Sequence, residues 1–188
     1  MRKYSTDGGG KKQMIQEHAT PSYLMTGHRQ IDSQHHELDQ LIQPLRTVCE
    51  AQYKSGSDCN ECSSEYRVAC TNRLDDLLGN LLGFVVKHFS YEEKLMRQLP
   101  ATPACRQHIE EHKFAHAEIS SQLADLTHSL DREYPQQHAL RLLNIISNWM
   151  GAHICSLDVQ LAGKLQDAIN TELDYDVKLA ALLEVNVG

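Results

Sequence analysis

The sequence predicts an all-α protein: an up-down-up-down four-helix bundle with an extra C-terminal helical segment. Three observations lead there. Apolar residues recur in steps of three and four along four stretches, the spacing of one helix face. Aromatic residues make up only 6% of the chain, and Gly and Pro are few, which disfavours a sandwich or barrel. The breaks between stretches 2 and 3 and between 3 and 4 are short, as antiparallel neighbours require.

Residues 1–22 are polar and carry Gly8–Gly10, so they read as a flexible lead-in to a domain spanning 23–170. The first helix is expected from Ile31 to Tyr53, with Ile31, Leu38, Ile42 and Leu45 as its stripe and His35 on the same face. A polar, cysteine-rich linker follows at 54–71. The second helix is expected from Asn72 to Leu99. Asn72 and Asp75 form a capping-box pattern, and the stripe is Leu74, Leu78, Leu81, Val85, Phe89 and Met96. Thr102 and Pro103 supply an N-cap and a first-turn proline for the third helix, whose stripe runs Ile109, His112, His116, Ile119, Leu123, Leu126 and Leu130. The fourth starts after Tyr134-Pro135, carries Leu142, Ile146, Trp149, His153 and Leu157, and continues towards Ile169. A shorter helical pattern from Leu173 to Leu183 lies in the extension at 171–188.

A chain of 188 residues suits one domain with one core. The formal charge is -7 and the basic residues are scattered, so nucleic acid is not an expected partner. No apolar run approaches the roughly 20 residues of a membrane span. The opening MRKYSTDGGGKK has charge but no apolar region behind it, so the expected compartment is the cytoplasm.

The unusual counts are 11 histidines and 6 cysteines. His88 and Glu92 are one helical turn apart near the second stripe, and His112 and His116 repeat that spacing in the third. The first helix adds His35, and the fourth adds His153 with Asp158 further on. A buried carboxylate without a partner is expensive, and a metal would satisfy all of these groups at once. Imidazole with bridging carboxylate favours iron or manganese pairs. No H-E-x-x-H occurs, so a zinc-protease helix is unsupported. No glutamate has histidine three residues on, so the carboxylate-rich di-iron pattern of ferritin-like bundles is absent. A histidine-rich site favours binding over attack on C–H bonds.

Four segments carry a family resemblance: GHRQIDSQHHEL at 27–38, HFSYEEKLM at 88–96, HKFAH at 112–116 and WMGAHICSLD at 149–158. In this order, one per helix, they resemble a bacterial hemerythrin-like domain over roughly residues 27–160. The resemblance implies two iron ions per chain, joined by an oxo or hydroxo bridge. His112, His116 and His153 would hold one iron, and His35 and His88 the other. Glu92 and Asp158 would bridge them. The second iron would bind dioxygen, in a pocket lined by Phe89, Trp149, Ile154 and Leu157. Asp158 rests on the resemblance, because five residues after His153 it falls about 140° round an ideal α-helix.

Three roles remain open. The first is a dioxygen-binding module for sensing, storage or transport, since similar domains act as inputs to signalling proteins such as diguanylate cyclases. The second is a di-iron peroxidase or nitric oxide reductase. The third is a metal-free or zinc-bound interaction bundle. Separately, Cys49, Cys59, Cys62 and Cys70 could hold a structural zinc, act through the C-x-x-C pair as a redox site, or be inert thiols.

Overall fold

The structure is a computed structural model and describes residues 4–6, 12–14, 22–47, 59 and 62–185. Tyr4–Thr6 (β1) and Lys12–Met14 (β2) pair antiparallel, Tyr4 opposite Met14, inside the segment read as a lead-in. The bundle follows. Its helices are α1 (Arg29–Thr47), α2 (Ser64–Met96), α3 (Pro103–His128) and α4 (Pro135–His153). A π-helical turn at Ile154–Asp158 joins α4 to α5 (Val159–Val185). Helix α1 packs on α2 and α4, and α3 packs on the same two, so chain neighbours are spatial neighbours in an up-down-up-down order.

The expected stripes are the core. In α1, Ile31, His35, Leu38, Ile42 and Leu45 are buried. So are all six residues expected from α2, from Leu74 to Met96. Two starts differ. Helix α2 begins at Ser64, two turns before Asn72, and Ser63 caps it by accepting from the Tyr66 N–H at 3.4 Å. Residues 64–71 therefore belong to the helix rather than to the linker. Their polarity misled the sequence reading, because this part of α2 exposes most of its surface. Thr102 does cap α3, accepting from the Cys105 N–H at 3.1 Å. The continuation of α1 from residue 48 to Tyr53 lies outside the described residues.

The C-terminal pattern is not a separate element. It is the far part of α5, continuous with α4 through the π turn. That turn holds one extra residue, so the buried stripe resumes at Leu161, Ala162 and Leu165. Leu157 is left half-buried, and Ile169 is exposed. Among the described residues, no helix is long and apolar enough to cross a membrane.

The core has two apolar clusters. The larger gathers Leu38, Leu81, Phe89, Ile119, Leu142 and Trp149 with their neighbours. The smaller contains Ile31, Leu95, Met96, Cys105, Leu161 and Leu165. Every stripe passes from one cluster to the other across a short polar interval, as His35 does in α1 and Glu92 in α2. Leu142 is completely buried in the larger cluster. Leu142→Ala is expected to cost about 2–5 kcal/mol, read as a lower denaturation midpoint with unchanged slope.

Candidate metal centre

The polar layer between the clusters is built from seven side chains. His35, His88, Glu92, His112 and Asp158 are fully buried, and His116 and His153 are nearly so. On α2, His88 and Glu92 point into the layer from consecutive turns. On α3, His112 and His116 do the same.

Each carboxylate divides its oxygens. Glu92 Oε1 lies 3.5 Å from His88 Nε2, while Oε2 lies 3.3 Å from His112 Nε2 and 3.0 Å from His116 Nε2. Asp158 Oδ2 lies 2.9 Å from His35 Nε2, while Oδ1 lies 3.2 Å from His112 Nε2 and 3.1 Å from His153 Nε2. The side chains form two groups with donor atoms near one point, Glu92 with His112, His116 and His153, and Glu92 with His35, His88 and Asp158. Glu92 is common to both. Asp158 reaches the first group through Oδ1.

These contacts fit a cation. Nε2 of His112 and His153 are 2.9 Å apart. Two nitrogens bound to one metal at about 2.1 Å and a right angle would stand about 3 Å apart. His88 Nε2, Glu92 Oε1 and Asp158 Oδ1 are buried and close to other donor atoms, yet none makes a well-directed hydrogen bond. A bound cation would satisfy all three, so the residues present fit a metal.

The chain belongs to the hemerythrin HHE cation-binding domain family. The family's model matches residues 26–165, about three quarters of the chain. No curated protein and no solved structure matches it significantly.

All seven expected ligands of this hemerythrin domain meet in the layer, Asp158 included. The π turn accounts for Asp158. Its five-residue period is seen in the Val159 N–H, which donates to the Ile154 carbonyl. In such a turn the i+5 residue comes round to the face that i+4 occupies in an α-helix, so Asp158 and His153 share one face.

Support comes from residues that the sequence reading did not single out. The His35 Nδ1–H donates to the Leu24 carbonyl at 2.8 Å, and the His88 Nδ1–H donates to Gln34 Oε1 at 2.9 Å. Both bonds turn Nε2 towards the centre as an acceptor. Leu24 is fixed from the turn before α1. There Asp32 accepts from the Thr26 N–H and hydroxyl, at 2.6 and 2.7 Å, and from the Gly27 N–H at 3.2 Å. Gly27 has φ +87°, a conformation that only glycine adopts readily. Periodicity could reveal none of this, because a backbone carbonyl and a glutamine have no ligand pattern. His108 is also buried beside His112, with ring centroids 5.3 Å apart, but it belongs to neither ligand group.

Of the expected pocket residues, Phe89 and Trp149 lie beside each other, with ring centroids 5.7 Å apart. Phe89 stacks on His116 with centroids 3.7 Å apart, and Trp149 stacks on His153 at 4.9 Å. Ile154 is fully buried. Leu157 instead lines a groove of about 440 Å³ between α3 and α4, with Ile119, Trp149, Ala152 and His153.

The possible zinc set does not assemble among the described residues. Cys49 lies outside them. Cys59, Cys62 and Cys70 do not converge as a ligand group. Cys70 stands six residues into α2, about 9 Å of helical rise from its start.

Protonation follows the burial. Desolvation pushes His88 down to about 4, against the attraction of Glu92 and Asp158. Desolvation also lowers His108 to about 4. For His153, burial is outweighed by its bonds to Asp158 and Glu92, which raise it to about 9. Burial would raise the Glu92 and Asp158 carboxyls, but histidine hydrogen bonds hold both well below the usual range.

Two outcomes are expected. Deleting exposed Ser156 should convert the π turn to α-helix and move Asp158 to i+4 from His153. Metal content by elemental analysis should then persist, whereas Asp158→Ala should lower it. In the metal-free protein, His88 and His108 stay neutral while the unfolded chain takes up protons below about pH 6.5. Their contribution is present above pH 6.5 and lost as pH falls towards 4. The His153 contribution is full below pH 6.5 and lost as pH rises through about 9. Thermal melts should therefore peak near neutral pH, and His88→Gln should flatten the acid side.

Proposed function

We propose that the centre holds two iron ions and binds dioxygen reversibly at the one with fewer protein donors, serving as an oxygen or redox sensor. The observation that carries this reading is the unequal division of donors between two positions that share Glu92 and Asp158. Three imidazoles, from His112, His116 and His153, serve one position, and two, from His35 and His88, serve the other. Imidazole with bridging carboxylate suits iron, and the position with fewer donors is the one left accessible to an outside ligand. When bound, the iron pair supplies the electrons that dioxygen needs for reversible binding.

The protein's residues supply the rest. His35 and His88 are locked through Leu24 and Gln34, so their donor atoms are preorganised. Phe89, Trp149 and Ile154 keep the surroundings apolar and exclude water. Asp158 supports the sensing role. It is a ligand placed where α4 meets the 27-residue α5, so a shift at the centre acts directly on the helix leaving it. An attached or partner signalling domain, such as a diguanylate cyclase, would receive that shift.

The test is the visible spectrum of anaerobically iron-loaded protein before and after air. The expected result is a ligand-to-iron charge-transfer band that appears with oxygen and disappears under vacuum. Iron content well below two per chain, or no band, would overturn the proposal. Rapid autoxidation supports sensing, and an adduct stable for hours supports storage or transport. Steady turnover of peroxide or nitric oxide above free iron would make the protein a peroxidase or nitric oxide reductase instead. Glu92→Ala removes a ligand shared by both positions, so it should reduce bound iron more than His35→Ala.

A further inference from the structure

The cysteine-rich segment before α2 contains a second piece of chemistry. Cys59 and Cys62 form a C-x-x-C pair, and the Cys62 N–H donates to the Cys59 carbonyl at 3.3 Å. This i→i+3 bond closes a tight turn, which brings the two Cα atoms within about 7 Å. A disulfide spans Cα separations of about 4.4–6.8 Å. In a turn of this period, side chains at i and i+3 also lie on the same side.

The surroundings suit thiol exchange. Cys62 immediately precedes Ser63, the N-cap of the 33-residue α2. Arg67, on the first turns of that helix, donates through Nη1 to the Cys59 carbonyl at 3.2 Å and the Cys62 carbonyl at 2.6 Å. One side chain thus ties both cysteine carbonyls to the start of α2. The two thiols differ in access. Cys59 is buried and its Sγ lies 4.0 Å from Gln136 Oε1 on the first turn of α4, whereas Cys62 is only half-buried. That is the arrangement of an attacking thiol with a resolving thiol behind it.

We propose that Cys59 and Cys62 are a redox-active dithiol that exchanges with oxidised low-molecular-weight disulfides. The Cys62 thiolate attacks one sulfur of the small disulfide. An S–S bond forms to Cys62, the original S–S bond breaks, and one small thiolate leaves. The Cys59 thiolate then attacks the Cys62 sulfur of the mixed disulfide and expels the second small thiolate. The two protons of the protein thiols end on the two released thiols. The protein dithiol loses two electrons and the small disulfide gains them. The pair works apart from the metal centre: His88 lies 24 residues beyond Ser64, about 36 Å along the axis of α2.

The test uses the full-length, metal-loaded protein without oxygen, equilibrated with reduced and oxidised glutathione and quenched by alkylation. Peptide mass spectrometry then reads each cysteine. The expected result is a Cys59–Cys62 disulfide whose reduced-to-oxidised ratio changes tenfold for each tenfold change in the square of the reduced glutathione concentration divided by the oxidised glutathione concentration. Cys59→Ser should accumulate a glutathione adduct on Cys62, and Cys62→Ser should form no such adduct on Cys59 at a comparable rate. Both thiols alkylating fully at every ratio would overturn the proposal. So would a disulfide joining either residue to Cys49 or Cys70, or stoichiometric zinc that protects the thiols until a chelator is added.

Discussion

The fold is organised around one constraint: seven ionisable side chains are buried in a layer with apolar clusters on both sides. Glu92 and Asp158 are completely buried, and isolated carboxylates in such surroundings would be strongly disfavoured. Each answers this by placing its two oxygens against different imidazoles. The histidines in turn come from all four helices, so the layer forms only when the whole bundle closes. Leu38, Phe89, Ile119 and Ile146 on one side and Ile31, Met96 and Leu161 on the other keep water from substituting for these contacts. Site and core are therefore a single piece of packing.

The π turn is the local departure that makes the layer complete. A regular helix through residues 153–158 would carry the Asp158 carboxylate away from His35 and His153. One extra residue in the turn brings it back, at the cost of regular hydrogen bonding over that turn. The same insertion moves the later stripe to Leu161 and Leu165, which close the smaller cluster. It also leaves Leu157 at the wall of the α3–α4 groove. One feature thus sets the place of an expected ligand, a residue lining the groove and the direction in which α5 leaves the bundle.

The two halves of the centre are held differently. His35 and His88 are fixed through Leu24 and Gln34, and the Asp32–Gly27 turn steadies Leu24 in turn. His112, His116 and His153 are held by ring packing, against Phe89, Trp149 and one another. The side with fewer donors is thus the one whose imidazoles are hydrogen-bonded through Nδ1, while Nδ1 of His112, His116 and His153 has no partner.

The sequence by itself determined the helix faces, the cap at Thr102, and five histidines and a glutamate on buried stripes, because periodicity and burial are linked within each helix. It named Asp158 only through family resemblance, since an α-helical period rotates that residue off the face. It placed the start of α2 too late, because an exposed helical turn of Ser, Glu and Arg has the composition of a linker. Only the tertiary structure decided which oxygen of each carboxylate faces which imidazole, that Gln34 and the Leu24 carbonyl orient two of the rings, and that Cys59 and Cys62 share one turn. Those are contacts between separate segments or details of a local turn, and neither leaves a periodic trace in the chain.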